Sequence, residues 1–402
     1  MPHSEAERHF RILTFTTLYP NEAQPHHGVF VENRLRHLLT SGEVSARVLA
    51  PVPYFPFRSE LFGRHAAFAK APLSEIRFGV PINHPRFLTI PKVGMSIAPY
   101  LLFASARRSL ARLLRTHQFD LIDAHYFYPD GVAAVMLGLH FNLPVVVTAR
   151  GSDINLISNY AIPRRMIRWA AARADGLISV SSALASKLSH LGIDTNRITV
   201  LRNGVDATRF CPVAPFGSSE DSPPSPLAVS VGNLVPLKGH DLVIAAVAQM
   251  PGLHLWIVGG GPERGNLEAL AVRLGVNQRV RFLGVVPHAR MSEVYSAADI
   301  LVLASEREGW PNVLLEAMAC GARIVATNVS DVPDIITQPA AGAWIPERTT
   351  PALVRALREV LARPASREAT RQHALRYSWD ATTTGQLELF GRIARHRDVG
   401  GP

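Results

Sequence analysis

At 402 residues the chain is too long for one hydrophobic core and comfortable as two domains of about 200 residues each, which implies a cleft between them. Its 47% hydrophobic and 18% charged residues exclude a disordered chain and a membrane bundle, and its 2 cysteines, Cys211 and Cys320, exclude a disulfide framework and sit in no metal-ligand spacing. The net charge of +10 lies in the first half, where residues 1–205 carry 23 Lys and Arg against 13 Asp and Glu, while residues 206–402 carry 19 of each; an anionic partner is expected there, with solubility as the plain alternative.

The first apolar run, "RILTFTTLYP", is short, threonine-rich and closed by proline, without the charged-then-apolar pattern of a leader, so a cytoplasmic protein is expected. It reads as a strand. Gly28 follows in a polar loop, "YPNEAQPHHGVFVEN", where a backbone without a side chain approaches a phosphate or sugar closely. After the strand "SARVLAP", the helical stretch "ASARRSLARLLRTH" sets Arg107, Arg108, Arg112 and Arg115 beside leucines, which fits either a membrane-facing helix or a solvated one. The strand "FDLIDAH" runs into a polar cluster of Asp123, His125 and Asp130. Residues 132–149 come closest to a membrane span, but His140, Asn142 and Pro144 interrupt them, predicting a short helix, a turn and a buried strand. That strand ends in "TARGSDIN", with Arg150 and Asp153, and "GLISVS" and "ITVLRNG" complete the series. Such continuous Val/Ile/Leu runs between helices signal a doubly wound parallel sheet whose strand ends face the cleft. His125 and Asp153 are acceptor-side candidates, and His125 reads equally as a hydrogen-bonded histidine closing a strand.

Residues 211–227, "CPVAPFGSSEDSPPSPL", lack any apolar period and read as linker. A second strand series follows: "LAVSVGN", "HLWIVGGG", "VRFLGVV", "DILVLAS" and "ARIVATN". The predicted organisation is a first domain over 1–208, a linker over 209–227, a second domain over 228–378 and a closing helix over 379–402 that packs back on the first domain.

Within the second series, "SEREGWPNVLLEAMACGARIVAT" holds two carboxylates, Glu308 on a loop and Glu316 inside the following helix. Pro311 stands near the helix start and Gly321 past its end. N–H groups from about Gly309 to Leu314 lack intrahelical acceptors and make an anion site. Carboxylates beside a phosphate cannot ligate it, so they accept from hydroxyls, as sugars provide; the combination points to a nucleotide sugar. Alternatively, both acids cap backbone N–H groups. In "VGNLVPLKGHDLVIAA", Lys238 reaches a diphosphate as a point charge or is plain surface. "IVGGGPERGNLEAL" is only a loose dinucleotide fingerprint. No Asp-x-Asp pair or His/Cys cluster supports a divalent metal, and no cofactor is expected.

The chain resembles the family 4 glycosyltransferases, retaining enzymes of the GT-B fold. The likeness covers nearly the whole chain and rests on the E-x7-E pair Glu308 and Glu316, the run "FLGVVPHARMSEVYSAADILVLASEREGWPNVLLEAMACGARIVAT", "NGVDATRF", "GNL" followed by "KG", and "IVGGGPE". "LYPNEAQPHHGVFV" and "ARGSDIN" resemble the branch that builds cell-surface polysaccharides and teichuronic-type polymers. The resemblance implies an α/β architecture of two Rossmann-like parallel-sheet domains facing a cleft, with the donor on the second. It implies that Glu308 contacts the donor-sugar hydroxyls, that the backbone of Gly309, Trp310, Pro311, Asn312 and Val313 holds sugar and phosphate with Leu314 adjoining, and that Glu316 binds the ribose. Lys238 would take the diphosphate, Gly284 would lie along the base, and Gly28 and Asn233 would line the donor. Three departures stand out. Asn233 replaces an arginine common in the family, Arg150 replaces a histidine near the sugar, and "NVSDVPD" replaces a glycine pair.

The expected reaction is front-face transfer of a hexose-type sugar in which the departing diphosphate takes the acceptor's proton. Glu308, Lys238 and Arg150 are then the catalytic candidates, acting by positioning and charge stabilisation. The acceptor would be a glycan or polyprenyl-diphosphate-linked glycan at the inner face of the cell membrane, with peripheral association with anionic lipid; nucleic acid is not expected. A catalytically silent nucleotide-sugar-binding subunit and a nucleotide-sugar epimerase or dehydrogenase remain the alternatives.

Overall fold

The continuous apolar runs form two parallel sheets in the computed structural model, which describes residues 9–59, 61, 64–89, 94–214, 216, 225–363 and 365–399. The chain divides into two compact units, one of residues 1–202 with 380–402 and one of residues 203–379.

The strands of the first unit are β1 (Phe10–Phe15), β2 (Val44–Leu49), β3 (Val52–Pro53), β4 (Ser74–Arg77), β5 (Val80–Asn83), β6 (Arg86–Phe87), β7 (Leu121–His125), β8 (Val145–Ala149), β9 (Gly176–Ser179) and β10 (Ile198–Val200). Eight form one sheet in the order β10-β9-β8-β7-β1-β2-β5-β4, parallel except for the β4–β5 hairpin, while β3 and β6 pair separately. Every residue of β7 and β8 is buried, which is why they read as uninterrupted apolar runs. The expected helix, turn and strand over 132–149 are present as Val132–Phe141 and Val145–Ala149, separated by Asn142 in the left-handed region at φ 55°.

In the second unit, β11 (Leu227–Val231), β12 (His254–Val258), β13 (Val280–Gly284), β14 (Ile300–Leu303), β15 (Arg323–Thr327) and β16 (Gly342–Ile345) form an all-parallel sheet in the order β13-β12-β11-β14-β15-β16. The strand order reverses direction between β11 and β14 here, and between β1 and β7 in the first unit. At such a reversal the helices leave on opposite faces, so the loops at the strands' carboxyl ends part and leave a crevice.

The helix Trp379–Val399 belongs to the first unit's core. Its Leu389, Phe390 and Ile393 are buried with Phe10, Ile12, Leu35 and Ile178, and Phe390 meets Phe10 edge-on at a ring separation of 6.0 Å. Two glycines admit it. A Cβ on Gly176 would stand 3.0 Å from Ile393 Cδ1, and one on Gly385 only 2.5 Å from Leu201 Cδ2.

The unit boundary differs from the expected linker. Val205 N–H donates to Tyr377 O at 2.8 Å, and Arg371 donates to Phe210 O at 2.9 Å and Ala207 O at 3.2 Å, so residues beyond Arg202 are bonded into the second unit. Of the expected linker, residues 215 and 217–224 lie outside the described residues. No described helix is long and apolar enough to cross a membrane.

Truncating the fully buried Phe390 to alanine is expected to cost about 3–5 kcal/mol, as for other core Phe→Ala changes. Urea unfolding followed by circular dichroism checks this; a loss below about 1 kcal/mol would mean that the helix is not docked.

Candidate active site

Lys238 and Glu308 leave the sheet at the ends of neighbouring strands, β11 and β14. Lys238 closes a 3-10 turn, Pro236–Lys238, that is tied to the loop after β14: Glu306 N–H donates to Leu237 O at 2.9 Å, and Arg348 bridges Ala304 O at 2.8 Å and Pro236 O at 3.1 Å. Gly239, at φ 67°, completes the contact, because a Cβ there would lie 2.3 Å from Ala304 O. The stem of Lys238 runs over Gly232, where a Cβ would meet its Cδ and Cε at 3.4 Å. Its ammonium reaches Glu308 Oε1 at 2.5 Å, both side chains half-buried.

Glu316 lies in the helix Asn312–Ala319. Its Oε2 accepts from the Tyr295 hydroxyl at 3.0 Å and its Oε1 lies 3.3 Å from His288 Nε2. Burial, then the adjacent carboxylate, pushes the Tyr295 phenol well up, so it stays a donor. Phe210 packs edge-on against His288 at 5.3 Å. Each carboxylate oxygen has a second lone pair, so Glu316 can also accept from a ligand hydroxyl.

The loop from Gly309 to Leu314 is more occupied than expected. Asn312 N–H already donates to Trp310 O and Leu314 N–H to Pro311 O, both at 3.0 Å, and the side chains of Trp310, Pro311 and Leu314 are buried. Gly309, Asn312 and Val313 are half-buried, and Asn312 Oδ1 accepts from Asn203 at 3.1 Å. Ser330, in the stretch that replaces the family's glycine pair, adopts φ 53° and donates to Gly309 O at 2.6 Å. The left-handed conformation costs a serine about 1 kcal/mol, which that bond offsets. Asn233 is exposed beyond β11, and Gly284 ends β13 at φ 69°, its carbonyl accepting from Gly259 N–H at 2.8 Å.

In the first unit, a buried polar chain joins the ends of β7 and β8 to two helices. Arg150 Nη2 lies 2.7 Å from His125 Nδ1, His125 Nε2 lies 3.3 Å from Asp123 Oδ2, Gln386 Nε2 donates to the same oxygen at 2.9 Å, and Arg34 Nε donates to Gln386 Oε1 at 3.1 Å. Arginine only donates, so His125 Nδ1 must accept and the ring proton sits on Nε2, facing Asp123. Burial, aided by Arg150, pushes His125 down to about 4 in spite of Asp123. Burial works to raise the Asp123 carboxyl, but His125, Arg34 and Arg150 outweigh it and hold it below its usual value. Arg150 also lies over Phe30 at 5.5 Å, so its guanidinium is engaged inside this unit.

Two expectations change. Asp153 is fully buried, and its carboxylate accepts from the N–H groups of Phe127 at 2.7 Å, Arg150 at 3.1 Å and Gly151 at 2.7 Å, so it holds two loops in place and presents nothing to an acceptor. Gly28, at φ 71°, is pressed on its own chain: a Cβ would stand 2.2 Å from Leu18 O, so its missing side chain makes room for that backbone. Asp130 similarly accepts from Thr16 and Thr17, and burial raises it to about 7. His288, Tyr295, Arg34 and Gln386 were not singled out in the sequence. "FLGVVPHARMSEVY" offered the first two as polar residues preceding the acid pair, whereas nothing local marks Gln386.

The description "Glycosyl transferases group 1" matches residues 217–376 and "Glycosyltransferase Family 4" matches residues 43–209. A D-inositol 3-phosphate glycosyltransferase of Mycolicibacterium gilvum is 30% identical over 363 residues, covering 84% of this chain and 81% of that one. The chain belongs to the family 4 glycosyltransferases. TuaC of Bacillus subtilis, a glycosyltransferase named for teichuronic acid biosynthesis, is 29% identical, with 81% of this chain and 82% of that one covered. Among solved structures, sucrose-phosphate synthase of Thermosynechococcus elongatus superposes with a TM-score of 0.77 at 18% identity, over 98% of this chain and all of that one. Anabaena HepE in complex with UDP-glucose gives 0.66 at 19% identity, covering 97% and 100% of the two chains. The fold is therefore that of the GT-B glycosyltransferases, and the epimerase or dehydrogenase alternative falls away.

The low value of His125 has a stability consequence for this glycosyltransferase. A histidine whose folded-state value lies below its unfolded one stays uncharged in the fold, so stability is lost as pH falls from about 6.5 towards 4. Between pH 7 and pH 5 the loss from this residue should be about 2 kcal/mol. Urea unfolding at both pH values should show that component in the parent and not in His125→Gln; equal pH dependence would refute it.

Proposed function

We propose that the glycosyltransferase moves a hexose-type sugar, with retention, from a nucleotide-sugar donor on the second unit to a glycan or polyprenyl-diphosphate-linked acceptor, in polysaccharide assembly at the cytoplasmic face of the membrane. The observation that carries this reading is the contact of Lys238 with Glu308 at the β11/β14 reversal, beside a second acid, Glu316, on the next helix. A diphosphate arriving there draws the Lys238 ammonium, and Glu308 is released to accept from sugar hydroxyls. Glu316, steadied by Tyr295 and His288, is suited to a ribose diol. The names of relatives point the same way: HepE was solved with UDP-glucose, and TuaC is named for teichuronic acid biosynthesis.

In this reading the acceptor oxygen bonds to the anomeric carbon as the bond to the diphosphate oxygen breaks on the same face. The acceptor's proton and the bonding electron pair pass to the diphosphate. No side chain need act as a nucleophile. Lys238 and the loop before the helix Asn312–Ala319 stabilise the growing charge without a divalent metal, and Arg150 orients His125 on the acceptor side.

Lys238→Ala should lower kcat by about 10²–10³-fold, as for loss of one charge-stabilising donor, and Glu308→Gln should also lower kcat. Glu316→Ala should mainly raise KM for the donor. Steady-state kinetics with the true donor tests all three, and an unchanged kcat in Lys238→Ala would refute the leaving-group role.

Thermal shift with UDP-, GDP-, ADP- and dTDP-sugars should pick out one base, with the shift unaltered by EDTA. Loss of the shift in EDTA would overturn metal-free binding.

A further inference from the structure

A second concavity, of about 530 Å³, lies in the first unit among Arg165, Arg168, Trp169, Gly192, Asp194 and Arg197. Arg165, Arg168 and Trp169 share one face of the helix Ala161–Arg173, at spacings of three and four residues. The opposite wall is the connection that leads into β10. The concavity therefore sits at the amino ends of the strands, opposite to the carboxyl ends of β7 and β8 that carry His125 and Arg150. Gly192, at φ 82°, lies beside the Arg168 guanidinium, whose Nη2 stands at the ordinary contact distance of 3.5 Å from where a Cβ would be. The pocket's one carboxylate, Asp194, accepts from Asn196 N–H at 2.9 Å and stands against three lining arginines, Arg165, Arg168 and Arg197, so the lining remains net positive. Arg197 is anchored on Ala174 O at 2.6 Å, and Arg173 lies over the Trp169 ring at 5.0 Å. Arg165 and Arg168 are exposed and have no hydrogen-bond or ion-pair partner among the described residues.

The surroundings say what kind of anion suits it. The helices Gly94–Leu113, Val132–Phe141 and Ala161–Arg173 pack against one another, and their sequences contain no Asp or Glu. They carry Arg107, Arg108, Arg112, Arg164, Arg165, Arg168 and Arg173. They also expose Tyr100 (52%), Leu139 (61%) and Ile162 (50%). An ordinary solvated surface mixes acids with its bases, which limits self-repulsion. Unneutralised guanidinium groups interleaved with exposed apolar side chains instead complement an anionic amphiphile.

We propose that the Arg165–Arg168–Trp169 pocket binds the phosphate headgroup of an anionic bilayer lipid, with the carboxylate-free helical face resting on the bilayer. The proposal rests on the membrane-face reading above for the source of its phosphate and is independent of the transfer chemistry.

The test is flotation of the full chain with vesicles of phosphatidylcholine, alone or with about one-third phosphatidylglycerol, at low salt. The parent should float with the anionic vesicles only. The Arg165→Glu/Arg168→Glu double variant should bind them at least about tenfold more weakly, since two surface cations are replaced by anions. A matched reversal at exposed positions of the second unit, Arg273→Glu/Arg355→Glu, should not. Equal flotation of the parent and the pocket variant would overturn the pocket and leave the membrane reading standing. An equal loss in both variants would overturn it in favour of diffuse charge attraction. No flotation of the parent would overturn the pocket and the membrane reading together. A rise in melting temperature with glycerol phosphate, in a parent that does not float, would assign the site to a free phosphate compound and overturn the lipid. Unchanged melting temperatures of the variants without ligand establish that they fold.

Discussion

The carboxyl ends of the central strands of the second unit are held by backbone lying directly on backbone. Gly239 rests against Ala304 O and Gly259 against Gly232 O, with Cβ positions that would fall 2.3 and 1.9 Å from those oxygens. No side chain fits at that separation, so any other residue would force the loops apart. The turn bearing Lys238 is thereby fixed to the loop bearing Glu308, and the ion pair between them follows from the packing. The glycines of "VGN", "KG" and "GGG" thus serve the assembly of the loops, which in turn places the charged groups.

The first unit reaches a comparable result with polar side chains. Arg150, His125, Asp123, Gln386 and Arg34 form a continuous buried chain in which each member is bonded to the next, and the two arginines and one carboxylate neutralise each other in part. Burying such groups is costly unless their bonds are made, so the chain specifies one arrangement of the elements that carry it. One of those elements is the closing helix, which supplies Gln386 from more than two hundred residues away in sequence. Asp153 and Asp130 do the same for the loops around them, binding backbone N–H groups and hydroxyls.

Much of the fold was legible in the sequence because a strand covered on both faces must be apolar at every position. The eleven runs read from their apolar residues are strands β1, β2 and β7 to β15, of which β7, β8, β9 and β14 are buried at every position. The strands that escaped notice are short or at sheet edges. β4, "SEIR", alternates between exposed and half-buried positions and turns into β5 through Phe78 and Gly79, at φ 50° and 79°, a turn without the usual asparagine signal. β16, "GAWI", has only one buried residue. A strand with so few buried positions need not be apolar on both sides, so composition does not mark these two, whereas the edge strands β10 and β13 carry enough apolar residues to be read.

For the site, the sequence alone determined which residues carry chemistry along a short span: the spacing of Glu308 and Glu316, the lysine before a helix, and the polar ends of β7 and β8. Such features are local, since a strand, a loop and the start of a helix are set by neighbouring residues. Only the tertiary structure decided what those groups do to one another. It paired Lys238 with Glu308 across seventy positions, brought His288 and Tyr295 to Glu316, and turned Asp153 and Gly28 inward to backbone partners. The physical reason is that hydrogen bonds and close contacts depend on distances of a few ångströms in space, and the adjacency of strands that sets those distances is a property of the whole sheet.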